Sequence, residues 1–545
     1  MKLNLQGIKN KEIWKEKGYQ LPEYDIEAMR TATRENPYWI HFGAGNLFRA
    51  FHARMLQEVL NKGDVDRGVI VAEGYDYEII DKMYTPHDNL GIVATLKSDG
   101  TIEKTIVASV AEALPLDSEN ETAYNRLKEI FCKDSLQMVT FSITEKGYSL
   151  VDGKGQLLPD VSADFVNGPK HPASYMGKVT SLLYARFASG QKPVAMVSTD
   201  NCSHNGDKLY SAVHTVAKGW LENDQVSEDF VKYLESDKVS FTWSMIDKIT
   251  PRPDKAVEQI LQKDGVEELD PVITSKHTYV APFVNAEETE YLVIENDFPN
   301  GKPALEAGGV IFTQKELVDK VERMKVCTCL NPLHTGLAIF GCLLGYRKIS
   351  EEMKDPDLKK MVELLGYKEG LPVVTDPGII HPEEFLKTVL EVRLPNPFMP
   401  DTPQRIATDT SQKLAIRFGE TVKEYRKDPK RRTSDLKIMP LVYAGWLRYL
   451  MGVDDKGEKF ELSPDPMLEE LCPYVAGLTL GETDREKITR AIHPILSNTS
   501  VFGFDMFETG LDEKVSGYFM EMLKGSGAVR ETLKKYVTNG FFTGV

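Results

Sequence analysis

Short runs of β-branched and aromatic residues alternate with amphipathic stretches through the first three hundred positions. Tyr38–Phe42 (YWIHF), Gly68–Ala72 (GVIVA), Met138–Ile143 (MVTFSI) and Pro193–Ser198 (PVAMVS) each end close to Gly, Ser, Thr or Asp, as strands do. Strands that alternate with helical segments predict a parallel sheet in an α/β domain. Tyr291–Ile294 predicts one more strand, and the Gly/Pro-rich segment DFPNGKPALEAGG follows it as a connection. From Gln314 onward the period changes. KELVDKVERM, TGLAIFGCLLGY, DLKKMVELLG, EEFLKTVLEV and LKIMPLVYAGWLRYLM all repeat their apolar residues at helical spacing. The expected organisation is an α/β domain over residues 1–313 and an all-α domain over residues 314–545.

Composition narrows the classes of partner. With 545 residues, 41% hydrophobic and 27% charged, the chain is long and apolar enough to fold around real cores. Its formal charge of −16 opposes binding to nucleic acid or anionic lipid, so an anionic ligand requires a local cationic pocket. No run of 18 apolar residues appears, and MKLNLQGIKNKEIWKEKGYQ lacks the apolar centre of a signal peptide, which leads to an expectation of a cytoplasmic protein with no membrane partner. The six cysteines form no C-x-x-C pair and the ten histidines no H-E-x-x-H, so reduced thiols and no metal are expected.

Candidate chemistry begins at YWIHFGAGNLFRAF. A strand runs into Gly43-Ala44-Gly45 and then a helical start, where backbone N–H groups can meet a pyrophosphate. Phe48 stands where the full G-x-G-x-x-G pattern has its third glycine. The next predicted strand ends at Glu73, whose carboxylate at a strand tip can accept hydrogen bonds from both ribose hydroxyls and repel a 2′-phosphate, favouring NAD over NADP. Asp76 is the alternative for that role. FHARMLQEVLNKGDVDR supplies the long connection between them.

Further segments join this turn in family order: TEKGY (Thr144–Tyr148), STDNCSHNG (Ser198–Gly206), SMIDKITP (Ser244–Pro251), IENDFPNGKPALE (Ile294–Glu306), KVCTCLNPLH (Lys325–His334) and DTPQRIATDTSQK (Asp401–Lys413). Together they resemble the polyol-specific long-chain dehydrogenases, the mannitol dehydrogenase family. The resemblance implies hydride transfer without metal, in a cleft between a Rossmann-type and a helical domain. It implies NAD contacts at Gly43, Gly45, Asn46, Leu47, Phe48, Arg49, Glu73, Thr144 and Glu145. It makes Lys325 the general base, with Asn331, His334 and Asn201 orienting the reacting oxygen. Asp247, Arg405 and Lys413 are implied on the substrate. A base needs a pKa near neutrality, which a desolvated lysine can reach. Asn331 and His334 are three apart and share a helix face, with Pro332 in the first turn.

One departure stands out. The family commonly has four residues between the lysine and the asparagine, and this chain has five, Val326 to Leu330. An extra residue turns a helical side chain by about 100°. If Lys325 lies in an extended or bulged segment the insertion is absorbed; otherwise another residue is the base. Two cations suit a carboxylate, Arg405 gripping it bidentately and Lys413 adding a point charge. The substrate expected is therefore a keto sugar acid and its alcohol, D-fructuronate and D-mannonate first. Reduction of tagaturonate and oxidation of mannitol at carbon 2 are the alternatives. A non-catalytic NAD-binding sensor of sugar acids is the alternative of another class.

Overall fold

The apolar runs of the N-terminal half become strands of one six-stranded sheet: β1 (Trp39–Phe42), β2 (Val69–Glu73), β3 (Val110–Pro115), β4 (Met138–Phe141), β5 (Val194–Ser198) and β6 (Val239–Thr242). All are parallel, in the order β3-β2-β1-β4-β5-β6. Successive side chains go to opposite faces. Trp39, Val69, Val71 and Met138 join one apolar core, and Ile40, Phe42, Ile70, Ala72, Val139 and Phe141 join the other. Helix α1 (Arg54–Lys62) covers the first face with Met55, Leu56, Val59 and Leu60. Helices α2 (Glu121–Cys132), α3 (Tyr175–Ala188) and α4 (Asn205–Glu222) cover the second. Burial on both faces explains why these strands are apolar at nearly every position. The strand order reverses between β1 and β4, and ligands of such sheets bind at that point, beyond the strand C-termini.

Two of the three smaller sheets contain one strand expected from the sequence, at Tyr291–Ile294, and six that are not. Phe283–Glu287 pairs with Gly91–Leu96 beside Ile102–Val107 and Tyr19–Gln20, and Ser244–Asp247, Tyr291–Glu295 and Val310–Thr313 form the other.

The computed structural model describes residues 1–539. They fall into two compact units, Met1–Lys97 with Thr101–Asp319, and Ser98–Gly100 with the chain from Lys320 onward. The units part within α5 (Lys315–Met324), a little beyond the connection expected at 313. The second unit is helical among the described residues, with one isolated bridge, Val453 to Lys459. At its centre α6 (Asn331–Leu344) packs on α7 (Ile438–Tyr449), and every residue of α7 is buried. The helical run Lys315–Leu344 is long and apolar enough to cross a membrane by composition, but 83% of its most apolar window is buried in the protein, as in a core helix.

Candidate active site

The turn after β1 is built by backbone geometry. Gly43 has φ +109°, and a Cβ there would lie 2.3 Å from the Ser142 carbonyl oxygen, so only glycine fits where β4 passes β1. At Gly45 a Cβ would meet nothing within 4 Å, which leaves room for a ligand to approach the backbone. Asn46 and Leu47 are half-buried at the helix start, and Leu47 packs against the core. Phe48 is fully buried, its ring stacked 4.5 Å from that of His41. Arg49 is also buried; its Nη1 donates to the Ala281 carbonyl at 2.8 Å, and its guanidinium lies 5.9 Å from the Tyr84 ring. Tyr84 donates to the Ala44 carbonyl at 2.9 Å. Phe48 and Arg49 thus brace the turn from below.

Glu73 sits at the tip of β2 as expected from the sequence, and its carboxylate folds back on the chain. It accepts from Ala44 N (2.8 Å), Tyr75 N (2.8 Å) and Asp76 N (3.0 Å). Asp76 is buried and accepts from the Thr274 hydroxyl at 2.6 Å. Under the turn His41 bonds Thr140 Oγ1 (2.6 Å) and Ser142 Oγ (2.8 Å), with the His52 ring tilted beside it at 4.6 Å. Burial keeps both imidazoles neutral, pushing His41 well below its ordinary range and His52 down to about 4.

Across the switch point an unanticipated acid ties two segments together. Asp200 accepts from Thr144 N (2.7 Å), Ile143 N (3.0 Å) and the Tyr148 hydroxyl (2.6 Å), joining TEKGY to STDN. Desolvation raises its carboxyl above the usual range against those bonds. Thr144 is held at φ +64°, a conformation that a β-branched residue rarely adopts. Glu145 is exposed and pairs with Lys208. Asn201 is exposed, whereas Asn205 is the buried hub: its amide donates to Asp200 O and Ser244 O and accepts from Ser244 N, each at 3.0 Å. Asp247 is buried at the end of Ser244–Asp247. Lys248 beside it donates to Glu290 at 2.7 Å.

In the second unit the extra residue before Asn331 is taken up by a π-turn. Lys325–Cys329 is wound with an i→i+5 bond, Leu330 N to Lys325 O at 3.1 Å, and the α-helical bond His334 N to Leu330 O follows at 3.1 Å. In an unbroken α-helix, nine steps of about 100° would put Lys325 and His334 on opposite sides; absorbing one residue brings them within about 80°. Lys325 is buried, and Asn331 and His334 are half-buried. The His334 Nε2 faces the Asp401 carboxylate at 3.4 Å. Burial lowers the imidazole although Asp401 opposes it, and Asp401 is held below the usual carboxylate range by His334 and Arg405, against its own desolvation.

Arg405 is exposed and pairs with Asp401. Lys413 donates to the Thr408 carbonyl, and desolvation, followed by the nearby Arg417, lowers its amine. Arg417 was missed from sequence although it lies four residues past Lys413; its Nη1 donates to the Thr335 hydroxyl at 2.6 Å. Asp401 opens DTPQRIATDTSQK, and its spacing of four to Arg405 is the sequence signal for that pair.

A doubly wound sheet with a glycine turn closing its switch point is the architecture of dinucleotide-linked dehydrogenases. The chain belongs to the mannitol dehydrogenase family: the Mannitol dehydrogenase Rossmann domain matches residues 38–307, and the Mannitol dehydrogenase C-terminal domain matches residues 317–515. It is 52% identical over 539 residues to a D-mannonate oxidoreductase of Thermotoga maritima, covering 98% of this chain and 99% of that protein. Among solved structures, a D-sorbitol dehydrogenase in substrate-free form matches with TM-score 0.76 at 24% identity, covering 94% of this chain and 97% of that one. A Pseudomonas fluorescens mannitol 2-dehydrogenase, in ternary complex with NAD and D-mannitol, matches with TM-score 0.68 at 24% identity, over 98% and 99% of the two chains. These two likenesses concern the fold.

Proposed function

We propose that this oxidoreductase interconverts D-fructuronate and D-mannonate with NAD as cofactor and Lys325 as general acid/base. The observation that carries the reading is the end-to-end likeness to a D-mannonate oxidoreductase. The first unit offers groups that suit a dinucleotide: a glycine turn with open space at Gly45, N–H groups at a helix start, and an acid at the tip of β2. When bound, the cofactor would supply a hydride acceptor as NAD⁺ or a hydride donor as NADH for the carbinol carbon. The Lys325 side chain takes the hydroxyl proton as the alcohol becomes a ketone and returns it in reduction. Asn331 donates a hydrogen bond to the oxygen as its charge grows, which lowers the barrier, and His334, whose Nε2 faces Asp401, helps to orient that oxygen. Asn201 and Asp247 support the same oxygen and its network, Thr144 and Glu145 flank the nicotinamide ribose, Lys413 approaches the far end of the sugar acid, and Arg405, paired with Asp401, lies beside it.

The test is a parallel assay of the purified protein with NADH and fructuronate, tagaturonate or fructose, followed by loss of nicotinamide absorbance. Fructuronate is expected to turn over fastest. Faster tagaturonate or fructose reduction would reassign the substrate, and silence with all three would favour the sensor alternative.

A further inference from the structure

The cationic groups of the second unit are not equally compensated. Arg405 is paired with Asp401, and Asp401 also faces His334, so that carboxylate is fully engaged. Lys413 donates to a carbonyl and has Asp409 and Asp465 within electrostatic reach. Arg417 differs from both. Its bond at Nη1 goes to a neutral hydroxyl, and among the described residues no carboxylate forms an ion pair with it, while burial lowers it to about 10. A desolvated guanidinium without an acid is costly unless a ligand supplies the anion.

Its position gives that imbalance a use. Thr335, which receives the Arg417 bond, follows His334 directly and donates to the Asn331 carbonyl at 2.9 Å. Arg417 is thereby tied to the helical turn that carries Asn331 and His334, and His334 and Lys413 both feel its charge. A protein of net charge −16 that keeps an uncompensated guanidinium beside these side chains has built a local receptor for an anion.

We propose that Arg417 receives the carboxylate of the sugar-acid substrate, with Lys413 alongside, and that Arg417 rather than Arg405 sets the preference for acids over neutral polyols. This rests on the site proposed above and names the group that selects its substrate. A guanidinium binds a carboxylate through two parallel N–H bonds, a geometry that neither lysine nor glutamine reproduces.

The experiment compares Arg417→Gln, Arg417→Lys and Arg405→Gln with the parent in two assays: reduction of fructuronate and fructose, and calorimetric binding of D-mannonate and D-mannitol. Arg417→Gln should lower kcat/KM for fructuronate by about 10- to 100-fold, chiefly through KM, with a far smaller change for fructose. D-Mannonate affinity should fall in parallel and D-mannitol affinity should hold. Arg417→Lys should recover part of the loss, and it serves if the glutamine variant fails to fold. Equal losses on acid and neutral ligands, no loss on either, or a selective loss confined to Arg405→Gln would overturn the assignment. If the parent reduces no ketohexuronate, the activity reading fails while the binding comparison still decides the role of Arg417.

Discussion

Two π-turns do opposite work in the two units. The first, Phe48–Ala53, follows the glycine turn and consists wholly of buried residues. It lays Phe48 and His52 against His41, below the backbone N–H groups proposed to face the ligand. The second, Lys325–Cys329, corrects the phase of a lysine against an asparagine and a histidine. At the first, function depends on where the backbone can go, which glycine decides. At the second it depends on where side chains point, which the count of residues per turn decides. One device, an i→i+5 bond in a helix, thus packs a floor in one place and registers candidate chemistry in the other.

The largest effect expected separates side chain from phase. Lys325→Met should lower turnover by about 10²- to 10⁴-fold with dinucleotide affinity unchanged, measured by steady-state kinetics and NADH binding. Deleting Val326 removes the extra residue and lets the π-turn relax to an α-turn, keeping Lys325 within about 80° of His334. That deletion should retain activity within about tenfold, and inactivation comparable to Lys325→Met would show that the π-turn does more than set phase. Next in size are the glycines. Gly43→Ala places a methyl group against the Ser142 carbonyl at φ +109° and should cost on the order of 3 kcal/mol or more, read as a fall in Tm. Gly45→Ala has no such clash and should leave Tm unchanged while weakening dinucleotide binding about tenfold. Equal Tm losses would erase the distinction.

The buried floor predicts a pH response. An unfolded histidine binds its proton near pH 6.5, whereas His52 is held to about 4 in the fold. Between those values the unfolded chain carries more protons, so stability falls as the pH drops, by up to about 3 kcal/mol from this residue. His52→Met should lessen the slope of the Tm profile across that window, where His41 still contributes, and an unchanged slope would assign the acid sensitivity elsewhere.

Legibility in the sequence follows the same division. Four strands of the main sheet are readable because both faces are covered and their apolar runs are continuous, whereas β3 and β6, each with half-buried positions, are not. The turn at Gly43 and the acid ending β2 are readable because backbone and strand-end roles are local. The π-turn is not: over KVCTCLNPLH the apolar pattern is too short to tell an i→i+5 bond from an i→i+4 bond. Asp200, Asn205 and Arg417 escape for a different reason. Each is defined by a partner distant in the chain, Thr144, Ser244 and Thr335, and no local spacing announces such a contact.

The smallest expected effect lies at Glu73, where local and distant roles overlap. An ionised carboxylate offers about four acceptor positions, and three here take backbone N–H groups of the chain itself. Those bonds fix the acid against Ala44, in the turn that contacts the nucleotide in the proposed function, so its charge can disfavour a 2′-phosphate without a large rearrangement. Glu73→Gln keeps the size and removes the charge, and one oxygen must then replace two. At least one N–H loses its partner, so Tm should fall by the equivalent of about 1–2 kcal/mol. The NADH-to-NADPH ratio of kcat/KM should narrow by about five- to tenfold as the repulsion goes. A lower Tm with an unaltered ratio would mean that this acid only staples the turn, and that another group reads the ribose.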